Sequence, residues 1–280
     1  MDCASNPYVE KGDPRLQSSV VAFVDILGYK QLVQKAYKNR NGDSLLRKLH
    51  RALKDSHEHI DPTFANVSHN DRKPDFSTFR AFTDNVVIGR PTSFFGEEEL
   101  RQAFRELSRF QMRLAMDGFF VRGGISLGNL YMDDIMVYGP ALLEAIEAES
   151  SLAIDPRIVL AKSAKEAVDK QLGYYPLRDE ETPHVYHICK DADGRYYVDY
   201  LQAVLTAAGY FSKKRGLRTH KAKIERQLKE NKGDPRIWSK YMWVAQYHNE
   251  FCDWCGGCTH LKIDIGNFRV PIRRSIIDKA

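Results

Sequence analysis

Two aspartates in this chain of 280 residues stand where carboxylates could do chemistry. Asp25 directly follows the apolar run SVVAFV at residues 19–24, and Asp84 lies in the turn TDN between apolar segments 78–82 and 86–88. A carboxylate at the end of a buried strand is unfavourable unless it is hydrogen-bonded, paired or bound to a metal. If the two strands are neighbours, a divalent cation such as Mg²⁺ or Mn²⁺ would relieve the repulsion between the carboxylates. The simpler alternative is that Asp25 caps the next helix and that Asp84 is an ordinary turn residue.

The periodicity of the flanking segments predicts the elements that would position these residues. Helical spacing is expected at residues 29–36, 45–53, 100–114 and 140–149, and strands at 19–24, 78–82, 86–88, 119–128, 135–138 and 157–161. The polar segment 61–75 is predicted to form a loop. The resulting order, β-α-α-β-β-α-β-β-α-β, predicts an α+β fold with a ferredoxin-like sheet and a helical layer on one face.

Composition sets the broad class of protein. Hydrophobic residues make up 43% and charged residues 28%, which excludes wholesale disorder. No apolar run is long enough to span a bilayer, and residues 1–18 lack the apolar core of a secretory signal. Five cysteines, an odd number without a secretory context, predict reduced thiols and a cytoplasmic protein. The formal charge of +5 permits anionic partners without requiring them.

Three segments follow from the change of pattern along the chain. We expect residues 1–18 to be a flexible lead, 19–190 a catalytic domain and 191–280 a mainly helical extension. Asp234 and Pro235 form a typical helix start within that extension.

Four motifs in order give a family resemblance. FVDILG at residues 23–28, FTDN at 82–85, RGGISLG at 122–128 and VYG at 137–139 resemble the metal, hairpin, glycine-strand and V-W-G motifs of class III nucleotide cyclases. The residues within these motifs are most similar to those of the bacterial pyrimidine cyclases of the Pycsar antiphage systems. The resemblance covers about residues 19–161.

The resemblance implies a function and a set of site residues. Asp25, the main chain of Ile26 and Asp84 would hold two Mn²⁺ or Mg²⁺ ions. Backbone amides near Gly28 could hold a triphosphate, and Arg122 is a further candidate for binding it. The implied reaction converts a nucleoside triphosphate into a 3′,5′-cyclic nucleotide and pyrophosphate.

Two departures from the family bear on the substrate base. The positions that select the base in purine cyclases are occupied here by Arg80 and Met136. Methionine cannot read a purine edge through charged hydrogen bonds, and Arg80 offers donors only, which favours the acceptors O2 and O4 of uracil. We therefore expect UTP rather than CTP. Arg80 could instead form a structural ion pair or contact phosphate.

A third departure concerns the transition state. The family's asparagine and arginine correspond to Leu143 and Glu147, and Glu147 cannot neutralise phosphate charge. Another cation must do so, or the chain is less active. The candidates are Arg122, Lys162, Lys190 and Arg195.

The resemblance also implies partners, since class III sites form between two protomers. We expect a homodimer that makes cUMP, or alternatively cCMP, for a separate cyclic-nucleotide-sensing effector in antiphage defence, without a membrane or nucleic-acid partner. A homologue that binds nucleotide without converting it is the rival hypothesis. A third hypothesis is a nucleic-acid-binding protein that uses the basic run at 213–223.

A cysteine cluster lies outside these motifs. Cys252, Cys255, Cys258 and His260 have a C-x-x-C-x-x-C-x-H spacing. Three thiolates and an imidazole could bind Zn²⁺, and the alternative is reduced structural or redox-sensitive thiols.

Overall fold

The computed structural model describes residues 6–57, 78–92, 95–175, 184, 186–206 and 213–268. The loop predicted at residues 61–75 lies outside this described part.

Strands and helices alternate through the first two thirds of the chain, and helices dominate the last third. The strands are β1 (Val9–Glu10), β2 (Asp13–Pro14), β3 (Gln17–Ile26), β4 (Thr78–Phe82), β5 (Asn85–Pro91), β6 (Val121–Met132), β7 (Val137–Tyr138), β8 (Ile158–Leu160), β9 (Ile188–Lys190) and β10 (Tyr196–Val198). The helices are α1 (Tyr29–Lys38), α2 (Gly42–His57), α3 (Glu97–Asp117), α4 (Pro140–Ser151), α5 (Lys162–Leu172), α6 (Ala203–Thr206), α7 (Lys213–Glu230) and α8 (Pro235–Trp254).

The main sheet has the strand order β4-β5-β3-β6-β8-β10-β9. Within it, β3 pairs antiparallel with both β5 and β6, and β4 pairs antiparallel with β5. The first four strands of the main sheet in chain order are β3, β4, β5 and β6. With the helices between them they are connected as β-α-β-β-α-β, which is the connectivity of a ferredoxin-like sheet. The predicted α+β class and ferredoxin-like sheet are therefore confirmed.

Alternation along β3 divides its side chains between two faces of the sheet. Val20, Ala22, Val24 and Ile26 belong to one core cluster, which is closed by α2, α3 and α5. Val21 and Phe23 belong to another cluster, which contains Ala141 and Ala145 of α4. Asp25 has the same parity as Val21 and Phe23, so it lies on the α4 face of the sheet.

The C-terminal helices share a core with the central strands of the sheet. Leu217 and Ile224 of α7 and Val244 of α8 are fully buried in one cluster with Phe120 and Val159. The predicted helix start is confirmed, because the Asp234 side chain accepts hydrogen bonds from the first amides of α8. Helices α7 and α8 therefore pack as an integral layer of the fold.

The observed segments differ from the predicted ones in three places. The N-terminal lead contains the small hairpin β1–β2, and Tyr8 is fully buried, with its hydroxyl 3.0 Å from that of Ser19. The strand predicted at 135–138 is reduced to two residues, because the Asp133 side chain accepts hydrogen bonds from the amides of Ile135 and Met136 and forms a turn. The sheet also continues through β10, beyond residue 190, since Tyr197 pairs with Val159 of β8.

The described helices also bear on membrane association. None of those within the ranges given above combines the length and apolar character needed to cross a bilayer.

Gly124 provides a test of the packing between β6 and α4. A Cβ atom there would lie 2.2 Å from the Ala145 carbonyl oxygen and 2.8 Å from the Ala148 Cβ. We expect Gly124→Ala to lower the free energy of unfolding by about 2–4 kcal/mol, because backbone of α4 must move to relieve the contact. The measurement is urea denaturation followed by circular dichroism.

Gly233→Ala is the matched control, because a Cβ at that glycine meets nothing within 4 Å. Equal unfolding free energies for the two variants would contradict the close approach of α4 to β6.

Candidate active site

An arginine joins three elements at the end of β3. Sheet register places Asp25 opposite Arg122 of β6. The Arg122 Nε donates a hydrogen bond to Asp25 Oδ2 at 3.1 Å, and its Nη2 lies 2.7 Å from Glu149 Oε1 in the last turn of α4. One guanidinium thus bridges two carboxylates on the α4 face of the sheet.

Asp84 is brought to the same place by the β4–β5 turn. Thr83 adopts a left-handed conformation with a φ of 55°, which reverses the chain. Its hydroxyl donates to Asp84 Oδ1 at 2.8 Å, and the Ile26 amide donates to the Asp84 carbonyl at 2.9 Å. The tip of the hairpin is therefore tied to the last residue of β3, next to Asp25.

Burial and a neighbouring carboxylate make the charge on Asp25 costly. Burial raises the pKa of Asp25, the charge of Asp84 raises it further, and the Arg122 guanidinium opposes both. A partly buried carboxylate beside a second one gains from an additional cation. The spacing-based expectation that the two aspartates meet is thus supported by their electrostatic interaction.

The available donors decide whether a metal fits here. Within the described ranges, no three His, Cys, Asp or Glu side chains are grouped to hold a metal ion. The donors that the described residues bring together here are the carboxylates of Asp25 and Asp84. This suits Mg²⁺ or Mn²⁺, because such ions in nucleotide sites bind one or two carboxylates and complete their shell with water and phosphate oxygens.

Glu149 and Lys240 were not among the predicted site residues. Glu149 is 6% exposed, and burial raises its pKa while Arg122 opposes the shift. Helical spacing could have identified it. Glu149 follows Ala145 by one turn and Ala141 by two turns, so it lies on the buried side of α4. Such a carboxylate needs a partner, and Arg122 is that partner.

Lys240 approaches the same carboxylates from α8. Its neighbour Tyr241 contacts the ring of Phe120, whose carbonyl accepts a hydrogen bond from the Leu27 amide at 2.8 Å. The first turns of α8 therefore lie against the segments that follow Asp25 and precede Arg122.

Burial and the surrounding charges shift the pKa of Lys240 in opposite directions. Burial and the charge of Arg122 lower the pKa of Lys240, while the charges of Asp25, Asp155 and Glu149 raise it. Burial also raises the pKa of Asp155, which lies after α4. Sequence reasoning could not find Lys240, because no local pattern indicates which distant strand end a helix will cover.

Arg80 contacts the turn between β6 and β7. Its Nε donates to the Asp133 carbonyl at 2.8 Å, its Nη1 to the Phe79 carbonyl at 3.2 Å, and its Nη2 pairs with Asp134. The other predicted base-selecting residue, Met136, lies in this same turn and is 49% exposed. The structure thus brings the two positions together, and Arg80 takes part in the ion pair that was one of its alternatives.

Gly28 marks the transition from the site to α1. Its φ of 71° is left-handed, and its carbonyl accepts the first intrahelical hydrogen bond, from Leu32. Helix α1 therefore begins at Tyr29, four residues after Asp25.

The remaining cation candidates have other partners. Lys162 pairs with Glu166 at 3.9 Å, Arg195 pairs with Asp193 at 3.1 Å, and the Lys190 ammonium lies 6.0 Å from the centre of the Tyr196 ring. Of the four candidates, Arg122 is the one that the structure places on Asp25.

The zinc prediction for Cys252, Cys255, Cys258 and His260 is wrong, because the described residues contain no such metal-binding group. Cys252 is fully buried, 3.5 Å from the Nε2 of His248, whereas His260 is exposed. Burial raises the pKa of Cys252 to about 12 and that of Cys255 to about 11, so these thiols stay protonated.

The basic run is partly used inside the fold. Lys213 donates to the Cys255 carbonyl, and Lys221 donates to the Lys262 carbonyl at 2.6 Å. Gly216, Leu217 and His220 between them are buried. This part of α7 thus holds the chain that follows α8.

Comparison with known proteins gives similarities among solved structures. No protein-family model and no curated protein matches the chain. The guanylyl cyclase Cya2 is 13% identical, with a TM-score of 0.39 over 54% of this chain and 78% of that one. A class III adenylyl cyclase-like ATP-binding protein from Pseudomonas aeruginosa is 13% identical, with a TM-score of 0.40 over 69% of this chain and 41% of that one.

The carboxylate pair predicts metal binding that can be measured directly. We expect Asp84→Asn to weaken Mn²⁺ binding by about tenfold or more, because it removes one of two charged ligands. Titration of free Mn²⁺ by electron paramagnetic resonance measures this.

Asp43→Asn is the matched control, since Asp43 is an exposed aspartate at the start of α2. Indistinguishable Mn²⁺ affinities for the two variants would rule out Asp84 as a ligand.

Proposed function

We propose that this protein is a nucleotide cyclase that converts UTP into 3′,5′-cyclic UMP and pyrophosphate. The observation that carries the proposal is the placement of Asp25 and Asp84 at adjoining strand ends, with the cations Arg122 and Lys240 on the same side. Two carboxylates for metal and two cations for phosphate are the groups that cyclisation of a nucleoside triphosphate requires.

Asp25, Asp84 and the Ile26 carbonyl would hold two Mn²⁺ or Mg²⁺ ions. When bound, such ions lower the pKa of the ribose 3′-hydroxyl and offset the charge of the triphosphate. If Asp25 held the metal, Arg122 would keep its ion pair with Glu149, and the guanidinium would stay beside the site.

The chain's own cations then act on the phosphates. The 3′-hydroxyl loses its proton to solvent water as its oxygen forms a bond to the α-phosphorus, the bond from that phosphorus to the oxygen bridging to the β-phosphate breaks, and pyrophosphate leaves with that electron pair. Arg122 and Lys240 lie where they can stabilise the negative charge that develops on these oxygens. Lys240 takes the role that Glu147, at the family's arginine position, cannot fill.

Arg80 supports the choice of uracil. Three of its five N–H groups have partners among the described residues, which leaves two donors for the acceptors O2 and O4. Met136 beside it offers an apolar contact and no hydrogen-bond donor to the base.

The site is proposed to be completed by a second copy of the chain. Large apolar side chains are exposed on the two hairpins and on α4 near the site, namely Phe82 at 55%, Ile135 at 91%, Tyr138 at 60% and Leu143 at 68%. A monomer that leaves such a group in water has an apolar surface suited to association. A homodimer would bury it and enclose the substrate between protomers.

The product would act in the cytoplasm as a second messenger for antiphage defence, read by a separate effector that senses cyclic nucleotides. This role rests on the resemblance to Pycsar cyclases and extends the proposed reaction.

The identity of the product tests the proposed reaction. Purified protein is incubated with Mn²⁺ and each of the four nucleoside triphosphates, and products are identified by mass spectrometry. We expect cUMP from UTP, and its loss in Asp25→Asn. Formation of cyclic CMP instead would show that the enzyme prefers cytosine, and it would refute only the argument from Arg80. The absence of a cyclic product from every triphosphate would refute the proposed cyclase activity.

Lys240→Met is examined in the same assay. We expect its kcat to fall about 100-fold, because one cation is removed from the transition state. The matched control is Lys229→Met, an exposed lysine of α7. An unchanged kcat in Lys240→Met would remove Lys240 from the mechanism.

A protein that binds nucleotide without converting it is the second candidate. The observation in its favour is that Leu143 and Glu147 are exposed at the positions of the family's asparagine and arginine. Calorimetric binding of a triphosphate with no cyclic product would favour it.

The proposed dimer is tested by the mass of the particle in solution. We expect sedimentation to give twice the chain mass of 32.2 kDa. The double variant Ile135→Glu, Leu143→Glu should sediment as a monomer, because it places charge in the apolar contact. Leu46→Glu, at a 64% exposed leucine of α2, is the control. A monomeric parent chain would contradict the dimer.

A further inference from the structure

A cleft of about 260 Å³ lies between α1, α2, the end of α3 and α7. Four cationic side chains line it, Lys35, Lys48, Lys223 and Arg226, with two carboxylates, Asp117 and Glu230. Lys223 is the last residue of the basic run at 213–223, and the proposed cyclase reaction makes no use of the cleft.

Both carboxylates of the cleft form ion pairs with cations other than Lys48 and Lys223. Glu230 pairs with Lys35 at 3.0 Å and with Arg226 at 2.6 Å. Asp117 pairs with Arg113, its neighbour one turn earlier in α3, at 3.2 Å. Within the described ranges, Lys48 and Lys223 have no carboxylate at ion-pair distance, so the cleft carries an excess of positive charge.

Lys48 and Lys223 line the same cleft, and both are partly buried. The Lys48 ammonium lies 4.9 Å from the centre of the Phe119 ring, and Phe119 is 3% exposed. Burial and the charges of Lys223, Arg226 and Arg51 lower the pKa of Lys48, while Asp117 opposes this. Like charges in a partly desolvated cleft are unfavourable unless an anion offsets them.

The remaining lining offers both apolar and amide contacts. Leu32, Leu45 and Phe119 form apolar walls, and Asn39 and Asn41 supply amide groups. The volume is below the range of about 300–1,000 Å³ that drug-sized ligands occupy. An anion with a small organic part fits these dimensions.

We propose that this cleft binds a phosphate-bearing small molecule no larger than a mononucleotide, with its phosphate between Lys48 and Lys223. Phosphate is the anion that matches two ammonium groups with several acceptor oxygens. The lining residues Leu32, Leu45 and Phe119 pack on the α2–α3 side of the sheet, opposite the α4 face that carries Asp25. The site is therefore separate from the proposed active site and does not depend on it.

Isothermal titration calorimetry on the full chain tests the proposal. The probes are inorganic phosphate, uridine 5′-monophosphate and uridine, in EDTA and at constant ionic strength. We expect the two phosphate-bearing probes, but not uridine, to bind. Tighter binding of the monophosphate identifies a phosphate ester as the ligand, and equal affinities identify inorganic phosphate.

The variant that removes the lysine pair is Lys48→Gln, Lys223→Gln. We expect it to weaken phosphate binding by at least about tenfold, because two charge-assisted contacts are lost. Its thermal unfolding midpoint without ligand should be equal to or above that of the parent chain, since the repulsion is relieved. A lysine pair with a merely structural role would lower that midpoint.

Lys54→Gln, Lys214→Gln is the matched control, with the same change of charge on the same two helices at exposed positions. The proposal is overturned if neither phosphate probe binds, if both double variants bind phosphate equally well, or if the unfolding midpoint of Lys48→Gln, Lys223→Gln falls below that of the parent chain.

Discussion

The guanidinium of Arg122, held between Asp25 and Glu149, is the contact on which the candidate site depends. It joins β3, β6 and α4 at one point on the sheet. Gly123 and Gly124, which follow Arg122, allow these three elements to come together. A Cβ on Gly123 would lie 2.6 Å from the Phe23 carbonyl oxygen, and one on Gly124 2.2 Å from that of Ala145. Because both positions lack a side chain, β3 and α4 can approach β6 closely enough for the charged groups to meet.

The carboxylates at this point outnumber the cations that the sheet provides. Asp25, Asp84 and Glu149 face one arginine, and Lys240 adds the second cation from α8. The C-terminal helices thus serve two purposes, because they close a core against Phe120 and place a lysine among the carboxylates. Removing them would expose apolar surface and change the electrostatics of the site together.

The formal charge of +5 conceals two local imbalances of opposite sign. Carboxylates gather on the α4 face, where Asp25 and Asp84 suit divalent cations. Lysines gather in the cleft between α2 and α7, where Lys48 and Lys223 suit an anion. The two regions lie on opposite faces of the sheet, so distance and solvent screening weaken the attraction between their opposite charges.

Local patterns in the sequence predicted most of the strands and helices around the site and both aspartates. The apolar run at residues 19–24 and the turn signal at Asp84 are such patterns, because a buried strand and a tight turn each leave their mark on a few consecutive residues. Those patterns place Asp25 at a strand end and Asp84 at a hairpin tip, where the structure has them.

Only the tertiary structure decided which distant groups meet these aspartates. Arg122 is 97 residues from Asp25, and sheet register selects it as the partner. The packing of α4 and α8 adds Glu149 and Lys240, and it leaves His260 outside the buried thiols that a zinc site would have needed. Such partners depend on register and on the packing of whole elements, which no short stretch of residues specifies.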